Sequence, residues 1–354
     1  MEKRFTHYKL IFICIFSTGL VFSQTGGQHI YQFMNTSPGA RISALGGMPI
    51  SWRANDPAAV YLNPSLLNTE MSGALHFSSL SYFSDISFGH FSYTHGLDSA
   101  DIALQLGIHY ANYGDITRTD PFGNSNGSFK ASDSDIYLAA SKTIKERIQL
   151  GASLHYISSS LDLYSSQGLS LNAGVSYFNP EKKFGLSLLF KHLGFQLSKY
   201  HQTSEKLPFE VQLAYSKKLK HLPLIYHIGI QHLQKWNVRY DDPDLQDDGV
   251  LFGDTNEDSD FSKSFSNALR HFVFGVELNI GKKENFSLRF GYNNLRNREL
   301  SLADYRSLSG LSGGFGIKIY KFKFDYSYAS YHIAGGSSQI SISTNLNHFF
   351  GKEI

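Results

Sequence analysis

The fold this sequence predicts is all-β, a transmembrane antiparallel β-barrel of fourteen strands behind an N-terminal hatch segment. Three observations predict it: a period of two from residue 73 onward, long and short connections in strict alternation, and a secretion signal at the N-terminus. Composition agrees. Of 354 residues 14% are aromatic and only 18% charged, yet mean hydropathy is slightly negative at -0.23. Soluble enzymes carry about a quarter charged residues. Low charge, many rings and abundant Ser and Gly suit a wall that is apolar outside and polar inside.

The secretion signal occupies residues 1–23. Lys3 and Arg4 form its basic start, Leu10 to Phe22 (LIFICIFSTGLVF) its apolar core, and Val21 and Ser23 the small residues before a cut after Ser23. The apolar core is too short to span a bilayer as a helix. Cys14, the only cysteine, lies inside it, so the processed chain offers neither a disulfide nor a thiolate metal site. Processing also leaves 29 basic and 29 acidic side chains, which gives no electrostatic footprint for nucleic acid. No later run of 18 apolar residues exists, so any spanning must be done by strands.

Alternation is clearest near the C-terminus. Phe272, Phe274, Val276, Leu278 and Ile280 interleave with Val273, Gly275, Glu277 and Asn279, and Phe322, Phe324, Tyr326 and Tyr328 with Lys323, Asp325, Ser327 and Ala329. Strands are expected at 73–80, 85–94, 101–113, 132–143, 147–159, 168–179, 183–192, 207–218, 222–235, 270–280, 285–293, 311–320, 322–331 and 338–350. Nearly all reach the roughly 9 to 11 residues of a tilted membrane strand. The expected connections at 114–131, 160–167, 193–206, 236–269, 294–310 and 332–337 are long. Between them fall tight turns at Lys145–Arg147, Pro180–Lys183, Lys218–His221, Gly281–Glu284 and Lys321. Long connections on one rim and short ones on the other distinguish an outer-membrane barrel from a sandwich.

Motifs for chemistry are weak. Gly310-Leu-Ser312-Gly-Gly314 matches a nucleophile elbow, but a strand follows where that motif needs a helix, so small residues lining a barrel strand are the better reading. His90/His95 and His227/His232 are five apart, hence on opposite strand faces and unable to share an ion. The acidic connection 236–269 holds Asp254, Asn256, Asp258 and Asp260. Asp254, Asn256 and Asp258 match the first ligands of a calcium loop, but Ser259 stands in place of its glycine and Phe265 in place of its bidentate glutamate. These remain weak cation candidates on a solvated loop. No cofactor or enzyme activity is expected.

Residues 41–67, RISALGGMPISWRANDPAAVYLNPSLL, lack period two, and prolines at 49, 57 and 64 would remove ladder donors. Asp56 is expected to cap a short helix with Pro57 at its first position, Gly46-Gly47 to permit close approach, and Asn63-Pro64 to turn the chain. With Arg41 these define a structural hatch motif, and the chain divides into residues 1–23 (signal), 24–70 (hatch) and 71–354 (barrel). The stretch ARISALGGMPIS followed by DPAAVYLNPSLL, with Tyr31-Gln32-Phe33 before it, resembles the N-terminal signature of the PorQ family of the type IX secretion system, related to PorV and more distantly to the FadL transporters. Met48 and Ser65 depart from that pattern. The resemblance implies a FadL-like fourteen-stranded barrel with an N-terminal hatch in a Gram-negative outer membrane, its long loops at the cell surface. It further implies a non-enzymatic member of the attachment complex with PorU, PorV and a PorZ-type surface protein. The alternative it leaves is FadL-like transport of a hydrophobic small molecule.

Overall fold

The computed structural model describes residues 29–97, 101–238, 260–282, 284–300, 308–332 and 335–350. The expected signal, and Asp254, Asn256 and Asp258, lie outside the described residues. Fourteen antiparallel strands close into one barrel. They are β1 (Ala74–Ser81), β2 (Ser87–Leu97), β3 (Ile102–Thr119), β4 (Ser125–Lys145), β5 (Ile148–Leu161), β6 (Tyr164–Asn179), β7 (Phe184–Ser198), β8 (Glu210–Lys218), β9 (Leu224–Ile230), β10 (Phe272–Ile280), β11 (Phe286–Asn293), β12 (Leu311–Ile319), β13 (Phe322–His332) and β14 (Gly335–Asn345). The seam pairs β1 with β14, from Ala74 opposite Asn345 to Ser81 opposite Ser338. Every strand therefore has two neighbours, the condition for a sheet where no water can satisfy a free edge.

The wall is inverted relative to a soluble protein. Phe77, Leu106, Leu138, Leu154, Phe290 and Ile340 point outward and are exposed, while Ser78, Gln105, Ser141, Ser153, Arg289 and Gln339 are buried on the inner face. Toward the short-turn rim the rings of Tyr177, Phe184, Tyr215 and Tyr226 form a chain, with neighbouring centroids 5.8–6.0 Å apart across β6 to β9. This is the aromatic girdle expected at a membrane–water boundary.

Strand boundaries correct the expected connections. Residues 114–131 and 160–167, read from sequence as loops, are mostly strand, turning only at 120–124 and 162–163, and β7 runs six residues past its expected end at 192. Thr, Ser, Asp and Asn on both faces hide these extensions, because no apolar face is needed where strands pair above a bilayer. Strand length is thus lopsided. β4 has 21 residues and β9 only 7, so β3 to β7 rise as a wall on the rim that carries the long connections. A register shift between Asn112 and Asp115 marks where this wall leaves the barrel, and Arg118 on β3 binds Asp162 in the β5–β6 turn at 2.5 Å. Conversely, 222–235 shrinks to β9, and the last expected strand stops at Asn345 before a short helix at Asn347–Phe350.

Residues 30–71 lie within the barrel in short pieces: 3-10 turns at Gln32–Asn35, Pro64–Leu66 and Thr69–Met71, and helices α1 (Ala40–Ala44) and α2 (Pro57–Leu62). Two further helices, α3 (Asp260–Arg270) and α4 (Asn294–Leu300), stand between β9 and β10 and between β11 and β12 in the chain. No described helix is long and apolar enough to cross a membrane.

Replacing the outward Leu138, central in the membrane part of β4, by Arg is expected to cost about 2–4 kcal/mol. A lowered unfolding temperature in a heat-modifiability gel would show it, and Ser141→Ala on the inner face serves as the mild control.

Candidate functional site

The inner segment threads the lumen from rim to rim. It starts at the long-connection rim, where the Ile30 amide donates to the Lys206 carbonyl at 3.1 Å, and leaves at the short-turn rim into β1. Along the way it bridges the barrel seam. The Pro38 carbonyl accepts from Ser78 Oγ of β1 at 2.7 Å, the Ser37 carbonyl accepts from Gln339 Nε2 of β14 at 2.9 Å, and the Ala40 amide donates to Ser341 Oγ of β14 at 2.8 Å.

It is also attached by ion pairs. Arg41 of α1 reaches Glu277 of β10 with two donors, at 2.7 and 3.1 Å, and Asp56 at 3.4 Å. Arg289 of β11 donates to the same Glu277 at 2.7 Å and to Asp325 of β13 at 2.6 Å, and Lys323 stands 3.5 Å from Asp325. Three cations thus face three carboxylates, all but Lys323 buried. Bidentate Arg–carboxylate geometry is the strong form of such pairs, and loss of one partner leaves the other charge unpaired in low dielectric. Burial opposes ionisation of Asp56, but Lys323, Arg41 and the Ala58 amide outweigh it and hold its carboxyl below the usual range.

The other residues of the sequence motif pin the segment's own turns. Asp56 caps α2 by accepting from the Ala58 amide at 3.1 Å, with Pro57 at the first helical position. Asn63 caps the next turn, which Pro64 opens, and donates to the Ile50 carbonyl at 2.8 Å. Gly46 and Gly47 both have positive φ, 82° and 92°, at the end of α1, where the Gly47 amide returns to the Ile42 carbonyl. Opposite them the barrel also needs glycine: a Cβ on Gly291 would lie 2.2 Å from the Gly46 nitrogen, and one on Gly185 1.9 Å from the Ser51 carbonyl oxygen. Arg53 stands apart at the short-turn rim, and its buried Nε has no hydrogen-bond partner.

Ser312, centre of the nucleophile-elbow match, lies on β12 and serves the segment by accepting from the Gly46 amide at 3.2 Å and donating to the Ala44 carbonyl. Sequence reasoning missed a closer approach to hydrolase geometry. Ser153 Oγ is 2.8 Å from His155 Nε2, and His155 Nδ1 is 2.8 Å from Asp135 Oδ2. All three side chains are buried, and Tyr61 of α2 donates to the same Asp135 oxygen at 2.9 Å. A triad needs an accessible hydroxyl and donors for an oxyanion. Capped by a Tyr ring, this one anchors α2 to the wall. The sequence places only Ser153 and His155 on one strand face; Asp135 joins them through the register of β4 against β5.

His90 faces inward and His95 outward. His227 is inward too, but His232 lies past the end of β9 with φ 56°, so the strand argument does not apply to that pair. No group of three metal-ligating side chains occurs among the described residues. Asp260 begins α3.

Between the segment and the wall, at the long-connection rim, lies a cavity of about 390 Å³. Lys191 and Glu210 stand at its buried side, and Gln234 and Lys235 at the rim.

These features define a closed fourteen-stranded barrel with its lumen occupied by its own N-terminal segment, a non-helical membrane-protein architecture. Solved structures resemble it in fold. The chain is similar to the TodX monoaromatic hydrocarbon channel deltaS2 mutant (12% identity, 88% of this chain and 99% of that one, TM-score 0.54). It is also similar to the Pseudomonas putida toluene transporter TodX (12%, 87% and 97%, 0.52) and to the CymD monoaromatic hydrocarbon channel (15%, 87% and 96%, 0.51). At these identities the likeness is one of fold. No family model and no curated protein matches the sequence.

Arg41→Ala is expected to destabilise the seated segment by about 3–5 kcal/mol, since Glu277 and Asp56 lose a buried partner. Limited proteolysis of residues 30–71 in detergent would report it, and Arg41→Lys should rescue only in part. Because the Asp56 carboxyl is held below its unfolded value, its contribution is complete above the unfolded pKa and disappears as pH falls through the folded one. Protection of the wild-type segment should therefore weaken below about pH 4.

Proposed function

We propose that this protein is a non-enzymatic outer-membrane barrel of PorQ type, which works as a docking scaffold in the attachment complex of the type IX secretion system. In this reading the long-connection rim faces the cell surface and receives a PorZ-type protein, with PorU and PorV as further members. The observation that carries it is the raised β3–β7 wall. It extends the barrel beyond what a bilayer requires and ends in two apolar tips, Phe122 at 90% and Leu163 at 88% exposure. The N-terminal signature supports the same reading, and so does a lumen occupied by a segment that buried ion pairs tie to the wall, which suits a support better than a conduit.

A second reading is passage of a hydrophobic small molecule, and the fold likeness to TodX and CymD favours it. Against it stands the lining of the rim cavity, where charged and amide side chains outnumber the apolar groups a hydrocarbon would need.

Purification from the native membrane should recover a PorZ-type surface protein with the wild-type barrel, and several-fold less with Phe122→Asp/Leu163→Asp. Equal recovery by the double variant, or none by the wild type, sinks the docking role. Liposomes carrying the barrel should then admit toluene no faster than empty ones; faster entry selects passage instead.

A further inference from the structure

From the chemistry of the rim cavity we infer that it is a binding site for a small neutral polyhydroxylated ligand, a mono- or disaccharide. The inference is independent of the docking role. A volume of about 390 Å³ lies in the range of small-molecule sites. Six carboxamides line it: Gln32, Asn35, Gln212, Gln231, Gln234 and Asn293. Each carboxamide both donates and accepts, which matches a hydroxyl, itself donor and acceptor on one atom, better than a carboxylate or phosphate that only accepts.

Charge points the same way. Lys191, Lys235 and Arg296 share the lining with Glu210 and Glu299, so cations and carboxylates nearly offset each other and leave little net charge to select an ion. At the buried side, Lys191 Nζ has Asn35 Oδ1 at 3.5 Å and Glu210 Oε2 at 3.8 Å. Both are longer than the ~2.8 Å of a charge-assisted hydrogen bond, so a buried ammonium keeps donor capacity for a ligand oxygen. His29, also in the lining, has a buried Nδ1 with no partner. Met48, Leu62, Phe209 and Leu295 add apolar surface to the lining, on which the C–H groups of a pyranose can pack. A hydrocarbon would leave the unpartnered His29 Nδ1 and the loosely held Lys191 ammonium without a ligand oxygen.

The chain has two tryptophans, and one is a built-in reporter. Trp236 lies between the lining residues Lys235 and Val238 and stacks on His271 with centroids 5.2 Å apart, whereas Trp52 packs against Phe178 at the short-turn rim. The test titrates glucose, maltose and N-acetylglucosamine into the full-length Trp52→Phe barrel in detergent and follows Trp236 emission, with toluene as the apolar probe. A saturable change with at least one sugar is expected. It should weaken about tenfold in Gln212→Leu, the loss of roughly one ligand hydrogen bond. Lys191→Met provides a second variant should the first fail to fold, as judged by heat-modifiability. The inference is overturned by no saturable change with any of the three sugars, by equal affinity in the folded variants, or by saturation with toluene alone. None of these outcomes bears on recovery of a surface protein, so the two readings fail separately.

Discussion

Backbone hydrogen bonding is the constraint on which everything else in this molecule depends. A sheet in hydrocarbon has no water for an edge strand, so β1 must find β14, and fourteen strands must close. Closure then fixes the chemistry of both faces. Alternate residues turn outward to lipid and become Phe, Leu and Ile; the others turn inward and are Ser, Gln, Asn and His, because they meet the polar backbone of the segment that fills the lumen. A protein core is usually apolar packing with a few satisfied polar groups. Here the proportions are reversed around the axis, and specificity comes from hydrogen bonds and ion pairs.

That reversal explains why the N-terminal segment is irregular. A regular helix along the axis would satisfy its own backbone and leave the inner face of the wall without partners. Short turns expose carbonyls and amides, and the wall uses them: Ser78, Gln339, Ser341 and Ser312 each bond to main-chain atoms of residues 37–46. Proline at 57 and 64 interrupts the chain where Asp56 and Asn63 can cap the pieces. Wherever backbone meets backbone too closely for a side chain, as at Gly185 and Gly291, the barrel gives way with glycine.

Much of this was legible in the residues. Period two and the placing of Glu277 and Asp325 on inner faces follow from the pleat, which leaves a strand no other choice, and counting the runs of that period gives fourteen strands. The extensions of β3 to β7 were not legible, because strands above a membrane need no apolar face and Ser-rich pairs read as loops. Nor could the sequence join Arg41 to Glu277, which lies 236 positions away, or bring Ser153, His155 and Asp135 under Tyr61. Such meetings depend on barrel register and on the path of the segment, and neither leaves a local trace. The rim cavity is likewise assembled from residues scattered between 29 and 299.

The path of the segment past the seam has a consequence for how the barrel stays closed. Ser37 to Ala40 hold β1 through Ser78 and β14 through Gln339 and Ser341, so one short stretch touches the first and the last strand of the ring. The seam is therefore clasped from inside as well as by its own ladder. Unseating the segment would open that clasp, so ring and contents keep each other in place: what fills the barrel is also its buckle.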